Sequence, residues 1–190
     1  PGTESWLDVN NNRAFLAGEL SVIANGISAY RTAQINKDND PKLAEIAKDI
    51  RTTNMPIGPV GKSVELHQTT TAVIFNYTPY PNAAKAYLKF MLEKEQMANW
   101  IEKSLGYCCQ SLKAYADNPV WTTDPIAAPY SRASETLRPN GYAGPLGYAS
   151  AATMADYVLV DMYATAETGE ATPQEAMEQA EKRANRYYRV

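Results

Sequence analysis

Apolar residues recur at helical spacing in several stretches of the chain. Residues 40–50, DPKLAEIAKDI, place their apolar side chains on one face behind Asp40, which stands in the N-cap position. A second capped helix is predicted for TPQEAMEQAEKRANRYY, where Thr172 occupies the N-cap position and Glu175 follows three residues later. Further helices are predicted at residues 27–34 and 149–169, and residues 81–104 predict either one helix or two consecutive helices.

Two shorter runs have the composition of strands. LSVIANG predicts a buried strand over residues 20–24 that stops at Asn25-Gly26, and TTTAVIFNYT predicts another over residues 69–78 because it is β-branched and aromatic. Few strands separated by helical and irregular chain favour an α/β fold over a helix bundle.

The stretch MPIGPVGKS, residues 55–63, ends like a phosphate-binding loop. Such a loop needs Gly where this chain has Pro56, and it leads from an apolar strand into a helix. Here DIRTTN precedes the stretch and an extended pattern follows it. The stretch is therefore not predicted to bind nucleotide, and its prolines and glycines predict an irregular crossing segment.

Composition limits the class of protein. The chain has 190 residues, is 45% hydrophobic and carries a net charge of −3, so a folded core is expected. Its charges are mixed and form no basic stripe, which argues against nucleic-acid binding. No apolar run approaches the roughly 20 residues that a membrane span needs.

Few side chains carry obvious chemistry. His67 is the only histidine, so a His-based zinc site is not expected, and a polar contact in a cleft wall beside Gln68 is favoured over catalysis. The adjacent Cys108 and Cys109 are expected to be thiols, one or both packed inside, with a strained vicinal disulfide as the alternative. Asp156 is a candidate carboxylate for an enzyme, but a solvated helix face is the favoured interpretation. No cofactor or metal is expected.

Tyrosine is overrepresented, with thirteen Tyr against three Phe. Tyr107, Tyr142 and Tyr148 each follow a glycine, which is typical of loops that present a ring to solvent or ligand. A tyrosine ring can stack on a sugar while its hydroxyl bonds a polar group. The alternative for each is a residue that covers the surface between core and water.

Three stretches together resemble one family. They are RAFLAGELSVIANGISAY, the run from MPIGPVGKSVEL through PNAAKAYLKFMLEKEQMANWIEKSLGY, and TGEATPQEAMEQAEKR. In order and spacing they are similar to the C-terminal half of extracellular solute-binding proteins of ABC importers, in the sugar-binding class typified by the maltose-binding protein. Such proteins usually run to about twice this length, so the chain is expected to be a C-terminal fragment.

The resemblance implies the helix-rich C-terminal portion of a two-lobed, periplasmic-binding-protein-like α/β fold of type II. Residues 1–62 would belong to the C-terminal lobe, residues 63–117 would return into the N-terminal lobe, and residues 118–190 would complete the C-terminal lobe. Most of the N-terminal lobe would be absent. The two lobes would close on a ligand.

The resemblance also implies ligand-binding positions. Asn25 and Gly26 match a turn at the cleft where freed backbone N–H groups meet a polar ligand, and Tyr30 matches an aromatic position in the next helix. The other implied positions are His67 and Gln68 after the crossing, Tyr107 in a Gly-plus-aromatic loop, and Tyr148 and Ser150 at the start of a long helix. The family's tryptophans are replaced here by Tyr or polar groups, which leaves a smaller or more polar solute open.

The implied function is capture of a small polar solute, a sugar or sugar-like compound, for import. The protein would be a monomer without enzymatic activity, periplasmic or extracellular, with a lipid anchor in the full-length form as one option. Its protein partners would be the ABC permease subunits. The alternatives are a carbohydrate-processing enzyme domain that uses Asp156 and a ligand-sensing domain that reuses the fold.

Overall fold

The computed structural model of the chain describes residues 2–66, 68–109, 112–142 and 144–188. His67, predicted as a ligand contact, lies outside these residues. Helices account for most of the regular structure in the described part of the chain. The α-helices are α1 (Asn10–Leu16), α2 (Ser28–Asn36), α3 (Pro41–Asp49), α4 (Pro81–Met91), α5 (Lys94–Lys103), α6 (Pro119–Thr122), α7 (Ala133–Thr136), α8 (Tyr148–Ala155), α9 (Val158–Glu167) and α10 (Pro173–Ala184).

The β-structure of the described residues is small. It consists of β1 (Glu65–Leu66) and β2 (Leu137–Arg138), which pair with each other in a two-stranded sheet. The strands predicted at residues 20–24 and 69–78 do not form, so both predictions were wrong. A strand needs a partner for its backbone hydrogen bonds, and Val73, Phe75 and Tyr77 instead have exposed side chains.

The chain divides into two compact units. The central unit comprises Val9–Leu137, and the terminal unit comprises Pro1–Asp8 together with Arg138–Val190. Residues 63–117 lie entirely within the central unit, and the predicted assignment of three segments to two lobes stays a prediction.

The core of the central unit is built from helices far apart in sequence. α2 supplies Ile27, just before its first residue, together with Tyr30, while α5 supplies Ile101. These side chains pack with Trp121 from α6 and with Tyr115 and Ala127 from the 3₁₀ turns on either side of it. Apolar side chains of α2 and α5 therefore meet in one cluster.

Several predicted helix ends are confirmed. Asp40 accepts hydrogen bonds from the N–H groups of Lys42 and Leu43 at the start of α3. At α10, Thr172 and Glu175 form the reciprocal capping box that their spacing predicts. A further helix end, that of α1, is followed by Gly18 in the left-handed region at φ 75°.

The predicted helix over residues 149–169 is interrupted. α8 ends at Ala155, and Tyr157 adopts a left-handed conformation with φ 52° before α9 begins. In the terminal unit α9 packs against α10, where Val158, Ala176 and Ala180 are buried. The apolar pattern continues through this break, so the sequence predicted one helix where the structure has two.

The segment at residues 55–63 is irregular, as predicted. It contains neither helix nor strand, and Gly61 donates a 3.0 Å hydrogen bond to the Gly58 carbonyl. β1 follows the segment, whereas a phosphate-binding loop is followed by a helix.

Candidate functional site

The end of α5 fixes the position of Tyr107. The Leu105 N–H donates to Glu102 O at 3.0 Å and the Gly106 N–H donates to Ile101 O at 2.9 Å. This pair of bonds is a Schellman motif, which satisfies the last helical carbonyls and reverses the chain. Leu105 and Gly106 both have positive φ, 50° and 73°. The turn delivers Tyr107 directly after the helix, with 58% of its surface exposed.

Gly106 is held against a core tryptophan. A Cβ on Gly106 would lie 2.6 Å from Trp121 Cη2, too close for any side chain at this backbone position. Trp121 is itself buried with Ile101, so the turn rests directly on the core of the central unit. The loop that carries Tyr107 is therefore anchored.

Arg31 lies over the ring of Tyr107. Its Nε donates a 2.9 Å hydrogen bond to the Ser104 carbonyl, and its Cζ lies 5.4 Å from the ring centroid. This is a cation–π arrangement, and the carbonyl contact holds the guanidinium in it. α2 and the end of α5 thus combine an exposed ring with a half-buried positive charge.

Tyr30 points the other way from its neighbour Arg31. Its side chain belongs to the core cluster, the residue is 8% exposed, and its hydroxyl donates to Asp124 Oδ2 at 2.6 Å. Burial and the Asp124 carboxylate raise the pKa of Tyr30 to about 12. The ring offers little surface for ligand stacking in this arrangement, and its ligand role stays a prediction.

Asn25 and Gly26 form a polar turn before α2. Asn25 Nδ2 donates to Asn12 Oδ1, and Asn12 Nδ2 donates to Ser28 Oγ at 2.8 Å. The Gly26 N–H donates to Asn25 Oδ1 at 2.8 Å, so this backbone group already has a partner. Both residues are exposed, and their contact with a ligand stays a prediction.

The remaining predicted positions are separated. Gln68 is exposed in the central unit. Tyr148 and Ser150 belong to the terminal unit, where Tyr148 is 83% exposed and Ser150 is buried. The Ser150 hydroxyl accepts a hydrogen bond from the Gly147 N–H at 3.1 Å and donates one to the Gly147 carbonyl at 2.9 Å. These bonds stabilise the N-terminal end of α8.

Tyr148 borders an open pocket in the terminal unit. The pocket has a volume of about 560 Å³ and is lined by Tyr148, Ala149, Arg186, Tyr187 and Tyr188. It offers aromatic rings and one guanidinium to a ligand of the size of a small sugar.

Asp156 and Asp161 share one partner. Arg183 of α10 places Nη2 at 3.3 Å from Asp156 Oδ2 and Nη1 at 2.6 Å from Asp161 Oδ2. Asp156 follows the last residue of α8 and Asp161 lies in α9, on either side of the break at Tyr157. With its carboxylate engaged by Arg183, Asp156 is not poised as a free acid or base.

Glu65 of β1 accepts hydrogen bonds from residues at the start of the irregular segment and from Thr136 of α7. Its Oε1 accepts from Asn54 Nδ2 at 3.0 Å and from the Met55 N–H at 3.3 Å, and its Oε2 accepts from Thr136 Oγ1 at 2.6 Å. Burial alone raises the pKa of Glu65, but these hydrogen bonds outweigh it and the pKa lies below its ordinary value.

The cysteines are free thiols, as expected, but neither is packed inside, since Cys108 is half-buried and Cys109 is exposed. Within the described residues, His, Cys, Asp and Glu side chains form no group of three that could hold a metal ion.

Sequence reasoning missed Arg31, Asp124 and Glu65 as partners. Asp124 precedes Pro125, and its Oδ1 accepts the N–H of Ile126 at 2.9 Å. Nothing in the local pattern links Arg31 to Tyr107, because that contact depends on how α2 packs beside α5.

The chain matches the family of bacterial extracellular solute-binding proteins over residues 2–129. The match covers more than half of the chain, so the chain belongs to this family. The Arg31–Tyr107 pair lies within the matched residues. A comparison with curated proteins and one with solved structures gave no significant match.

Family membership carries three general conclusions. The protein has an extracellular solute-binding role, its location is periplasmic or extracellular, and a periplasmic-binding-protein-like fold is indicated. Solute-binding families are generally non-enzymatic. None of the helices among the described residues combines the length and apolar character needed to cross a bilayer.

Proposed function

We propose that the protein is the substrate-binding component of an ABC transporter and captures a small polar solute, a sugar or sugar-like compound, for import. The supporting observation is the anchored, exposed ring of Tyr107 beside Arg31, inside the part of the chain that matches the solute-binding family. Aromatic rings bind sugars through their apolar faces, and a guanidinium donates hydrogen bonds to sugar oxygens.

The remaining predicted positions extend this proposal. Gln68 in the central unit and Tyr148 in the terminal unit are each exposed. The turn at Asn25 and Gly26 is also exposed and would exchange its internal hydrogen bonds for bonds to a solute. The division of residues 1–62, 63–117 and 118–190 between two lobes belongs to the same proposal. So do monomeric state, lipid anchoring, binding without turnover and contact with permease subunits.

A thermal-shift screen of the full-length protein tests this function. Monosaccharides, disaccharides, polyols and sugar acids are each added in excess and the unfolding midpoint is measured. A bound solute at 100 times its Kd stabilises the folded state by about 2.7 kcal/mol. We expect at least one solute to raise the midpoint; a flat response to the whole panel would overturn the proposal.

A further inference from the structure

Arg31 forms no ion pair with any carboxylate of the described residues. Its Nε is engaged by the Ser104 carbonyl, yet across residues 2–66, 68–109, 112–142 and 144–188 no carboxylate pairs with its Nη1 and Nη2. The residue is half-buried, and a partly desolvated charge is costly without an opposite charge. An anionic ligand at this position would supply an opposite charge.

The missing partner is constrained by the shape of the guanidinium. Nη1 and Nη2 form a planar fork that matches the two oxygens of one carboxylate. Arg31 Cζ lies 5.4 Å from the centroid of the Tyr107 ring, and Tyr107 is 58% exposed. A ligand that satisfies both side chains carries a carboxylate on a ring with an apolar face.

We propose that the Arg31–Tyr107 pair recognises the carboxylate of a sugar acid of the hexuronate class. The carboxylate oxygens accept hydrogen bonds from Nη1 and Nη2, while the sugar ring lies against Tyr107. This assignment rests on the proposed function and narrows its solute to an anionic one. A neutral hexose would leave the positive charge of Arg31 without a counter-charge.

Calorimetric titration of the full-length protein with matched ligands tests the assignment. The probes are D-galacturonate and D-glucuronate, compared with D-galactose and D-glucose, which lack only the carboxylate. We expect a hexuronate to bind wild type at least about tenfold more tightly than its neutral counterpart. Loss of charge-assisted hydrogen bonds in Arg31→Gln weakens hexuronate binding by about 10- to 100-fold and leaves the neutral sugar nearly unchanged.

Arg51→Gln provides the matched control. Arg51 lies in the same unit, and its Nη1 donates to the Lys48 and Ile50 carbonyls, away from Tyr107. This variant removes the same charge and is expected to bind hexuronate like wild type. Arg31→Lys keeps the positive charge but lacks the planar fork. Its hexuronate affinity is expected to lie between that of wild type and that of Arg31→Gln.

The outcomes separate the two proposals. Equal binding of hexose and hexuronate, or equal hexuronate binding by wild type, Arg31→Gln and Arg31→Lys, overturns the sugar-acid assignment and leaves the solute-binding function standing. If no sugar, polyol or sugar acid binds wild type, the proposed function itself fails.

Discussion

The Tyr30 hydroxyl donates a hydrogen bond of 2.6 Å to Asp124 Oδ2, across a separation of 94 positions in the sequence. The bond joins the start of α2 to the chain that follows α6, and Tyr30 belongs to the core cluster around Trp121. It stabilises the packing that holds Arg31, the next residue of α2, over Tyr107.

Removal of this hydroxyl destabilises the protein. In Tyr30→Phe the Asp124 carboxylate loses a buried donor, and hydrogen bonds to charged groups contribute about 1.5–3 kcal/mol. We expect the free energy of unfolding in urea at pH 7 to fall by that amount. Equal stability of variant and wild type would show that the bond contributes nothing.

The same bond predicts a pH dependence. The pKa of Tyr30 is about 12 in the folded state against 10.0 for an ordinary tyrosine. A raised pKa gives stability that is complete below pH 10 and is lost as pH rises towards 12. The stability gap between wild type and Tyr30→Phe should therefore narrow over this range, and a gap that widens would contradict the assignment.

Gly106 tolerates no side chain. Gly106→Ala adds a Cβ at 2.6 Å from Trp121 and forces alanine into φ 73°. Overpacking and the left-handed conformation together cost about 2–4 kcal/mol. Gly58→Ala is the control, since a Cβ there meets nothing within 4 Å and stability should change by less than about 0.5 kcal/mol. Urea unfolding measures the free energy of unfolding of both variants. Similar losses of stability in the two would show that Gly106 is not required for the turn.

Glu65 predicts a loss of stability in acid. Because the folded-state pKa of Glu65 is depressed, its contribution is present above the unfolded value of 4.5 and lost as pH falls through the lower folded pKa. Thermal unfolding between pH 6 and pH 3 should show a shallower decline for Glu65→Gln than for wild type. Glu45→Gln removes the same charge from an exposed position of α3, and its unfolding midpoints should follow those of wild type. Identical dependence of the midpoint on pH in all three proteins would exclude a contribution from Glu65.

Arg183 relieves the repulsion between two carboxylates. In Arg183→Gln, Asp156 and Asp161 lose their shared counter-charge, and ion pairs this accessible to solvent are screened by salt. We expect a small loss of stability at low salt that shrinks at about 1 M salt. Lys182→Gln, one residue earlier on α10 and exposed, should have little effect. A loss that is independent of salt would point to packing instead.

Local signals predicted local structure well. The caps at Asp40 and Thr172 depend on side chains within three residues of the helix start, so the sequence contains all that determines them. The strand predicted at residues 69–78 failed because a strand depends on a partner elsewhere in the chain. The break at Tyr157 was hidden because the apolar pattern continues on both sides of it.

The site was predictable only in part. The Gly-Tyr pair indicated that Tyr107 is presented on a loop, and the structure shows the ring exposed. Tyr30 is also a tyrosine, but its side chain belongs to the core. Which residues of α2 are buried depends on the face that this helix packs against α5. The Arg31 contact depends on that same packing.

The most direct test of the account is the affinity of Tyr107→Ala for the solute that gives the largest thermal shift. Calorimetric titration compares it with wild type and with Tyr87→Ala, which removes an exposed ring from α4. Loss of the stacking surface should raise the Kd of Tyr107→Ala about fivefold or more, and Tyr87→Ala should match wild type. An unchanged Kd in Tyr107→Ala would contradict the claim that solute binds at this ring.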